Sequence, residues 1–195
     1  MPKRKGEKYE AIIDAAVKIF ARHGYYGAQV TKIAKEAGVA DGTIYLYFEN
    51  KEDILISLFT EKMGRFIAAV SQELSSQEDA VEQLHTLVRR HFSHLAADAD
   101  LAVVTQIELR QSDPQIRQGI SQPLKKYFEA IEKVVENGKL TGQFNDWIDV
   151  KTARKMIFGT MDEVVTCWVL SQKEYSLLSL VEPVLKILSS GIVAK

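Results

Sequence analysis

The residues best equipped for chemistry in this 195-residue chain cluster in one short run, where Thr43, Tyr45, Leu46 and Tyr47 surround the apolar Ile44 and precede Phe48, with Lys51 close behind. Tyrosine and threonine hydroxyls donate to phosphate oxygens, while a threonine methyl or a leucine packs on thymine methyls. Lys51 adds a cation where a helix start would add free amides for a further phosphate. Other constellations are thinner. His91 and His94 stand at i and i+3, with His85 one and a half turns earlier, but no clear carboxylate partner accompanies them, so metal binding is not expected. Asp162 and Glu163 are neighbours and so point apart on a helix, which argues against an acid/base pair. There is no Gly-rich phosphate loop, no G-x-S-x-G elbow and no H-E-x-x-H. An enzyme is not expected.

Composition narrows the class further. With 46% hydrophobic and 26% charged residues, 11 Gly and 4 Pro, the chain can bury a core and is neither disordered nor fibrous. Its longest unbroken apolar runs, Ile44–Phe48 and Phe66–Val70, fall far short of the roughly 20 residues that span a bilayer. No signal segment is expected either, since Asp14 and Lys18 interrupt the first hydrophobic stretch. Cys167 is the single cysteine, which excludes an intrachain disulfide and a cysteine zinc site and fits a reducing cytoplasm. The total charge of −1 hides an asymmetry: residues 1–48 carry eight basic and five acidic side chains, +3, which leaves −4 for the rest. A basic head on an acidic body suits a head that meets an anion such as nucleic acid.

Helical spacing positions these residues. Ile12, Ala16, Ile19, Phe20 and His23 recur at intervals of three and four up to Gly24, predicting a first helix over about 7–23. Val30, Ile33, Ala34 and Ala37 predict a second, ended by Gly38, and Asp41 is placed to cap a third that runs through Tyr47 or Phe48. A long amphipathic helix over 52–74 follows the turn at Glu49-Asn50-Lys51 and couples head to body. Further helices are expected near 77–97, 100–111, 115–137, 149–171 and 174–193. Ser112-Asp113-Pro114 marks a strong break with an N-cap before proline, Asn137-Gly138 and Thr141-Gly142 mark a loop, and Pro123 and Pro183 should kink or restart a helix. Two short helices about Gly38, the second presenting polar and aromatic groups, meet the demands of a helix-turn-helix.

These segments have a known counterpart. GVADGTIYLYFENKEDIL, preceded by AAVKIFARHGYYGAQVTKIAKEA, closely resembles the head of the TetR family of bacterial transcriptional regulators over roughly residues 10–56. Gln29 departs from the family pattern, which places a Thr or Ser N-cap there, so that helix start should be weaker or capped differently. The resemblance implies an all-α fold of about nine helices, with a three-helix DNA-binding head over 1–51 and a ligand-binding and dimerisation body over 52–195. It implies that Tyr45, Tyr47 and Lys51 contact phosphate, that Thr31, Thr43 and Leu46 approach bases with Gly42 in the same DNA-facing set, and that Lys3, Arg4 and Lys5 form an arm along the duplex.

The body also has a counterpart. LAVVTQIELRQSDPQIRQGI, MIFGTMDEVVTCWVL and KEDILISLF resemble the branch of the family that represses fatty-acid degradation in bacilli. That resemblance implies a repressor of β-oxidation genes, released from its operators by long-chain acyl-CoA, with no cofactor, no metal and no membrane association. An acyl chain needs a long apolar slot, each buried methylene contributing about 0.8 kcal/mol. Phe66, Leu87, Phe92, Leu95, Val104, Ile107, Phe128, Phe158, Met161 and Trp168 are expected to face one body interior. Arg89, Arg90 and Arg110 are the candidate polar contacts, with Arg117, Lys125 and Lys126 also available for phosphates. Adjacent Arg89 and Arg90 cannot both point into a pocket, and an ion pair with Glu108 or Asp113 competes for Arg110. The last two helices carry wide apolar faces (Met156, Ile157, Val164, Val165, Trp168 and Val169; Leu177, Leu180, Val181, Val184, Leu188 and Ile192). By resemblance they form a four-helix homodimer interface, which gives a pseudo-palindromic double-stranded operator. The competing readings are a repressor answering a different apolar ligand and a helical acyl-CoA or lipid carrier. Intact Thr43, Tyr45, Tyr47 and Lys51 favour the repressor.

Overall fold

The computed structural model describes residues 6–172 and 174–194. The order is α1 (Glu7–Gly27), α2 (Val30–Glu36), α3 (Asp41–Ile44), α4 (Lys51–Ser75), α5 (Ala80–Ala97), α6 (Ala99–Glu108), α7 (Pro114–Leu140), α8 (Val150–Leu170) and α9 (Val181–Ile192), with a 3₁₀ turn at Leu177–Leu180 before α9. Among the described residues the one β pairing is an isolated antiparallel bridge between Phe144 and Val193. The all-α expectation holds. The chain divides into two compact units, one of the segment up to Met63 with Asp100–Gln122, the other of Gly64–Ala99 with the segment from Pro123 onward. Helices α4 and α7 each contribute residues to both.

In the first unit, Ile12, Ala16 and Phe20 of α1 bury with Ile33 and Ala34 of α2, Ile44, Phe48, and Ile54, Leu55 and Leu58 of α4. Tyr9 stacks on Phe48 at 5.1 Å between ring centroids. Helix α1 runs past its expected end at residue 23 to Gly27, but Gly24 breaks it internally with φ 65 and ψ 168, a conformation that glycine adopts without a Cβ penalty. Helix α4 begins with Asn50 Oδ1 accepting the Asp53 N–H at 2.8 Å while Asp53 Oδ2 accepts the Glu49 N–H at 3.0 Å, which satisfies two amides at the helix start. Asp113 caps α7 as expected, taking the Gln115 and Ile116 N–H groups on one oxygen. Lacking a side chain, Gly119 of α7 lets Ile56 of α4 close in.

The second unit packs α5 against α8 and α9, with Leu84, Leu87, Val88, Phe92, Ile157, Met161, Val165 and Leu185 buried. Asp79 and Asp149 cap α5 and α8, and the hydrogen bonds these carboxylates accept hold both below the usual carboxylate range. Two expectations fail here. Asn137-Gly138 reads as a loop, yet α7 continues to Leu140, and the ring of Phe144 lies where a Cβ of Gly138 would sit. The helix expected over 174–193 starts instead at Val181 after the 3₁₀ turn, with Pro183 in its first turn, where a missing N–H breaks no helical bond. Pro123 is buried inside α7 and does not end it.

Candidate nucleic-acid interface and ligand-binding interior

Two short helices meet at a tight, fully bonded turn. Gly38 has φ 66, its N–H bonds the Lys35 carbonyl at 3.2 Å, and the Val39 N–H bonds the Ala34 carbonyl at 3.0 Å. This pair of bonds is the Schellman ending of a helix, which requires a left-handed residue and so selects glycine. As expected, Gln29 gives no side-chain cap; its carbonyl alone takes the Lys32 and Ile33 N–H groups. Asp41 does not cap α3: Ala40 is the N-cap, Asp41 is the first helical residue, and the helix ends at Ile44. Beyond it the chain tightens into turns, the Leu46 N–H bonding Thr43 and the Tyr47 and Phe48 N–H groups bonding Ile44.

This geometry decides what faces outward. Ile44 and Phe48 are fully buried, whereas Tyr45 is 60% and Leu46 79% exposed. Thr31 and Gly42 are exposed too, and Thr43 and Tyr47 half-buried. Lys51 is engaged within the head: its Nζ donates to the Ala28 carbonyl at 3.0 Å and the Tyr26 carbonyl at 3.5 Å and lies 4.7 Å from the Tyr25 ring centroid. Lys3, Arg4 and Lys5 lie outside the described residues. Tyr26, whose carbonyl accepts from Lys51, is itself 74% exposed.

The first unit also holds an acid that its sequence neighbourhood does not advertise. Glu108, at the end of α6, is buried and accepts the Tyr25 N–H at 2.8 Å on Oε1 while its other oxygen accepts from the Gln111 amide. Beside it a cavity of about 430 Å³ is lined by His23–Gly27, Ile107, Glu108 and Arg110 to Ser112. Arg110 donates to the Gln106 carbonyl at 2.6 Å. Burial pushes the Tyr25 phenol, like that of Tyr9, up to about 12.

The expected ligand residues separate between the units. Leu87, Phe92, Leu95, Met161 and Trp168 are buried in the second unit, and Phe66, Phe128 and Phe158 are half-buried there. Val104 is buried but belongs to the first unit. Ile107 does not face that interior: it is 49% exposed and lines the first-unit cavity with Arg110. Arg89 and Arg90 are both exposed, and Arg90 pairs with Glu73 at 2.6 Å. Neither guanidinium reaches the second unit's core.

What joins the interior residues is a chain of rings. Phe66 lies edge-on to His91 and Tyr127, at 6.3 and 5.5 Å, and stacks on His94 at 4.6 Å. Tyr127 meets Phe158 at 6.1 Å, and Phe158 meets Phe128 at 4.9 Å. Arg154 covers Phe128, its guanidinium carbon 4.4 Å from the centroid, and pairs with Glu132 at 3.3 Å. Sequence spacing missed Tyr127, His91 and Arg154, because each reads as an ordinary core or surface position until the rings around it are in place. Nearby, a groove of about 550 Å³ sets apolar Ile67, Leu74, Ala130 and Val134 beside Lys126 and Lys133.

Helices α8 and α9 bury most of the apolar positions their spacing picks out, while Met156 stays exposed and Val164, Val169 and Leu180 are half-buried. Ile157, Val165, Trp168, Leu177, Val181, Val184, Leu188 and Ile192 are buried within the chain. Outward apolar groups include Met156, Leu170, Leu178, Ile187 at 71% and Trp147 at 77% exposure, of which Met156, Ile187 and Trp147 surround a depression of about 450 Å³.

Comparison with known proteins places the chain. Residues 12–58 match the bacterial regulatory proteins of the tetR family, and residues 59–191 match the C-terminal region of YsiA-like proteins. The chain is 52% identical to the fatty acid metabolism regulator protein of Bacillus subtilis, over 97% of this chain and 98% of that protein. Its fold superposes on the fatty acid degradation regulator FadR of Bacillus halodurans with a TM-score of 0.90 at 53% identity, covering 94% of this chain and 98% of that one. It superposes equally on B. subtilis FadR in complex with stearoyl-CoA, with a TM-score of 0.91 at 52% identity, covering 94% and 99%. The helix-turn-helix head and the helical body carried behind it are thus those of a regulator, and the chain belongs to the TetR family.

Proposed function

We propose that the protein is a cytoplasmic, homodimeric repressor of fatty-acid degradation genes that binds a pseudo-palindromic operator and leaves it when long-chain acyl-CoA is bound. The observation that carries this reading is the identity with the B. subtilis fatty acid metabolism regulator along nearly the whole chain, supported by the stearoyl-CoA in a B. subtilis relative of the same fold. Function divides near Lys51, residues 1–51 reading DNA and 52–195 holding ligand and partner. Thr31, Thr43 and Leu46 approach bases, Gly42 lies close to the backbone, and Tyr45 and Tyr47 donate to phosphates, joined by Lys51 through the donor capacity its two carbonyl bonds leave over. The basic Lys3, Arg4 and Lys5 follow the duplex backbone. Phe66, Leu87, Phe92, Leu95, Phe128, Phe158, Met161 and Trp168 receive the acyl chain, and Lys126 and Lys133 supply cations for the CoA phosphates.

Because α4 contributes to both units, ligand in the body changes the spacing between the two heads of a dimer, and simultaneous fit to both half-sites is lost. The exposed Met156, Trp147 and Ile187 form the self-complementary surface that pairs two copies. The test is fluorescence anisotropy on a labelled palindromic duplex, titrated with palmitoyl-CoA, palmitate or CoA. Release by the thioester alone is expected. Linkage requires that operator DNA weaken palmitoyl-CoA binding by the same factor that palmitoyl-CoA weakens operator binding; simultaneous binding with no mutual effect overturns the proposal.

A further inference from the structure

A buried nitrogen without a partner stands inside the ring cluster. His91 is buried and its Nδ1 lies 2.9 Å from the Tyr127 hydroxyl, with the two rings stacked at 5.8 Å. Its Nε2 is shielded from solvent and makes no hydrogen bond. Three other buried side-chain atoms share that condition among the described residues, Gln77 Oε1, Arg154 Nε and Ser189 Oγ, but none of them lies at such a ring cluster with a neutral donor to offer. Arg154 Nε is already 3.3 Å from the Glu132 carboxylate.

The protonation state follows from the surroundings. Burial, with His94 adding to it, lowers the His91 pKa to about 3 and raises that of Tyr127, so both are neutral at physiological pH. A phenol is the stronger donor, so Tyr127 O–H donates to Nδ1 and the proton of the imidazole resides on Nε2. What remains is a single neutral N–H among Phe66, Phe92 and Tyr127 with nothing to donate to. Leaving such a donor unmatched is unfavourable, and an unpaired polar atom in a native interior calls for an explanation, a bound partner among them.

We propose that His91 Nε2 donates to the thioester carbonyl oxygen of the bound acyl-CoA, with Tyr127 fixing the tautomer that makes this possible. The inference rests on the acyl-CoA reading above and names the polar contact of that ligand. One neutral donor matches one neutral carbonyl oxygen. A free fatty-acid carboxylate would bring a full charge into the same apolar enclosure with one hydrogen bond to stabilise it, which is strongly unfavourable. His91 therefore selects thioester over free acid and over ligands that lack the carbonyl.

The test uses calorimetry on the full-length protein with palmitoyl-CoA, palmitate and S-hexadecyl-CoA, a thioether of the same chain length with a methylene in place of the carbonyl. Wild type should prefer the thioester over the thioether by on the order of tenfold, the size of one buried hydrogen bond. His91→Phe should bind the two equally. His91→Asn, whose amide reaches only the place of Nδ1, should lose the preference while keeping the Tyr127 contact and hence the fold. His91→Gln, whose amide reaches the place of Nε2, should keep it. A wild-type protein that binds thioester and thioether alike, or a preference that survives in both His91→Phe and His91→Asn, overturns the assignment while leaving the acyl-CoA reading standing. Binding of neither CoA compound overturns both.

Discussion

The buried carboxylate of Glu108 holds the backbone N–H of Tyr25, 83 residues earlier in the chain, at 2.8 Å. The bond falls directly after Gly24, where α1 departs from helical geometry and would otherwise leave an amide unmatched. Glu108→Ala would strand the Tyr25 N–H and the Gln111 amide in the interior, with an expected loss of about 1–3 kcal/mol. Glu108→Gln keeps an acceptor for Tyr25 and should lose less than half as much. Urea unfolding followed by circular dichroism separates the two; equal losses would mean that the Tyr25 bond is not what Glu108 contributes.

Tyr45 and Leu46 are exposed and contribute little to folding, so Tyr45→Ala and Leu46→Ala should change stability by no more than about 0.5 kcal/mol. Operator affinity should fall about tenfold or more for Tyr45→Ala, while palmitoyl-CoA affinity is unchanged. Anisotropy and calorimetry on the same preparation check this, since parallel loss of both activities would indicate misfolding instead.

How much of this was legible in the sequence depended on how local each feature is. The turn at Gly38 and the burial of Ile44 and Phe48 between exposed neighbours follow from spacings of a few residues, and they could be read directly. The Glu108–Tyr25 and His91–Tyr127 pairs join residues 83 and 36 positions apart, and no periodicity encodes them. Gly138 shows a third situation, in which a local signal is overridden: Asn-Gly favours a turn, but Phe144 from the following loop packs over the glycine and the helix continues. On α8 and α9 most of the apolar positions read from spacing serve packing within the chain; of them Met156 faces outward, beside Ile187 and the loop residue Trp147, which that spacing did not pick out.

Gly138 and Gly119 allow a graded test of that packing. A Cβ at Gly138 would fall within the buried Phe144 ring, whereas one at Gly119 meets Ile56, which is only half-buried and can swing aside. Gly138→Ala should destabilise by about 1–3 kcal/mol through overpacking, against the helix-propensity gain of about 1 kcal/mol, and Gly119→Ala by less. Thermal unfolding of the two variants side by side would reverse that order if Phe144 can retreat.

The outward apolar face predicts its own disruption. Ile187→Glu places a charge on a side chain that is 71% exposed in the single chain, so the fold should be retained while a dimer built on this face dissociates. Sedimentation should show a shift toward monomer and anisotropy a collapse of operator affinity, because one head binds one half-site without the second. A variant that stays dimeric would relocate the interface.

The stability of the second unit should depend on pH through His91. Its folded-state pKa is depressed to about 3, below the roughly 6.5 of an unfolded histidine. Between those values the unfolded chain binds a proton that the folded chain does not, so stability is full above about pH 6.5 and declines as pH falls toward 3. The slope from this one group is about 1.4 kcal/mol per pH unit in the middle of that window. Carboxylates also titrate there, so the informative quantity is the difference between wild type and His91→Phe. Wild type should lose stability faster than the variant between pH 6 and 4, measured by urea denaturation at each pH. If the two curves run parallel, His91 titrates alike in the folded and unfolded chain, and burial does not hold it neutral.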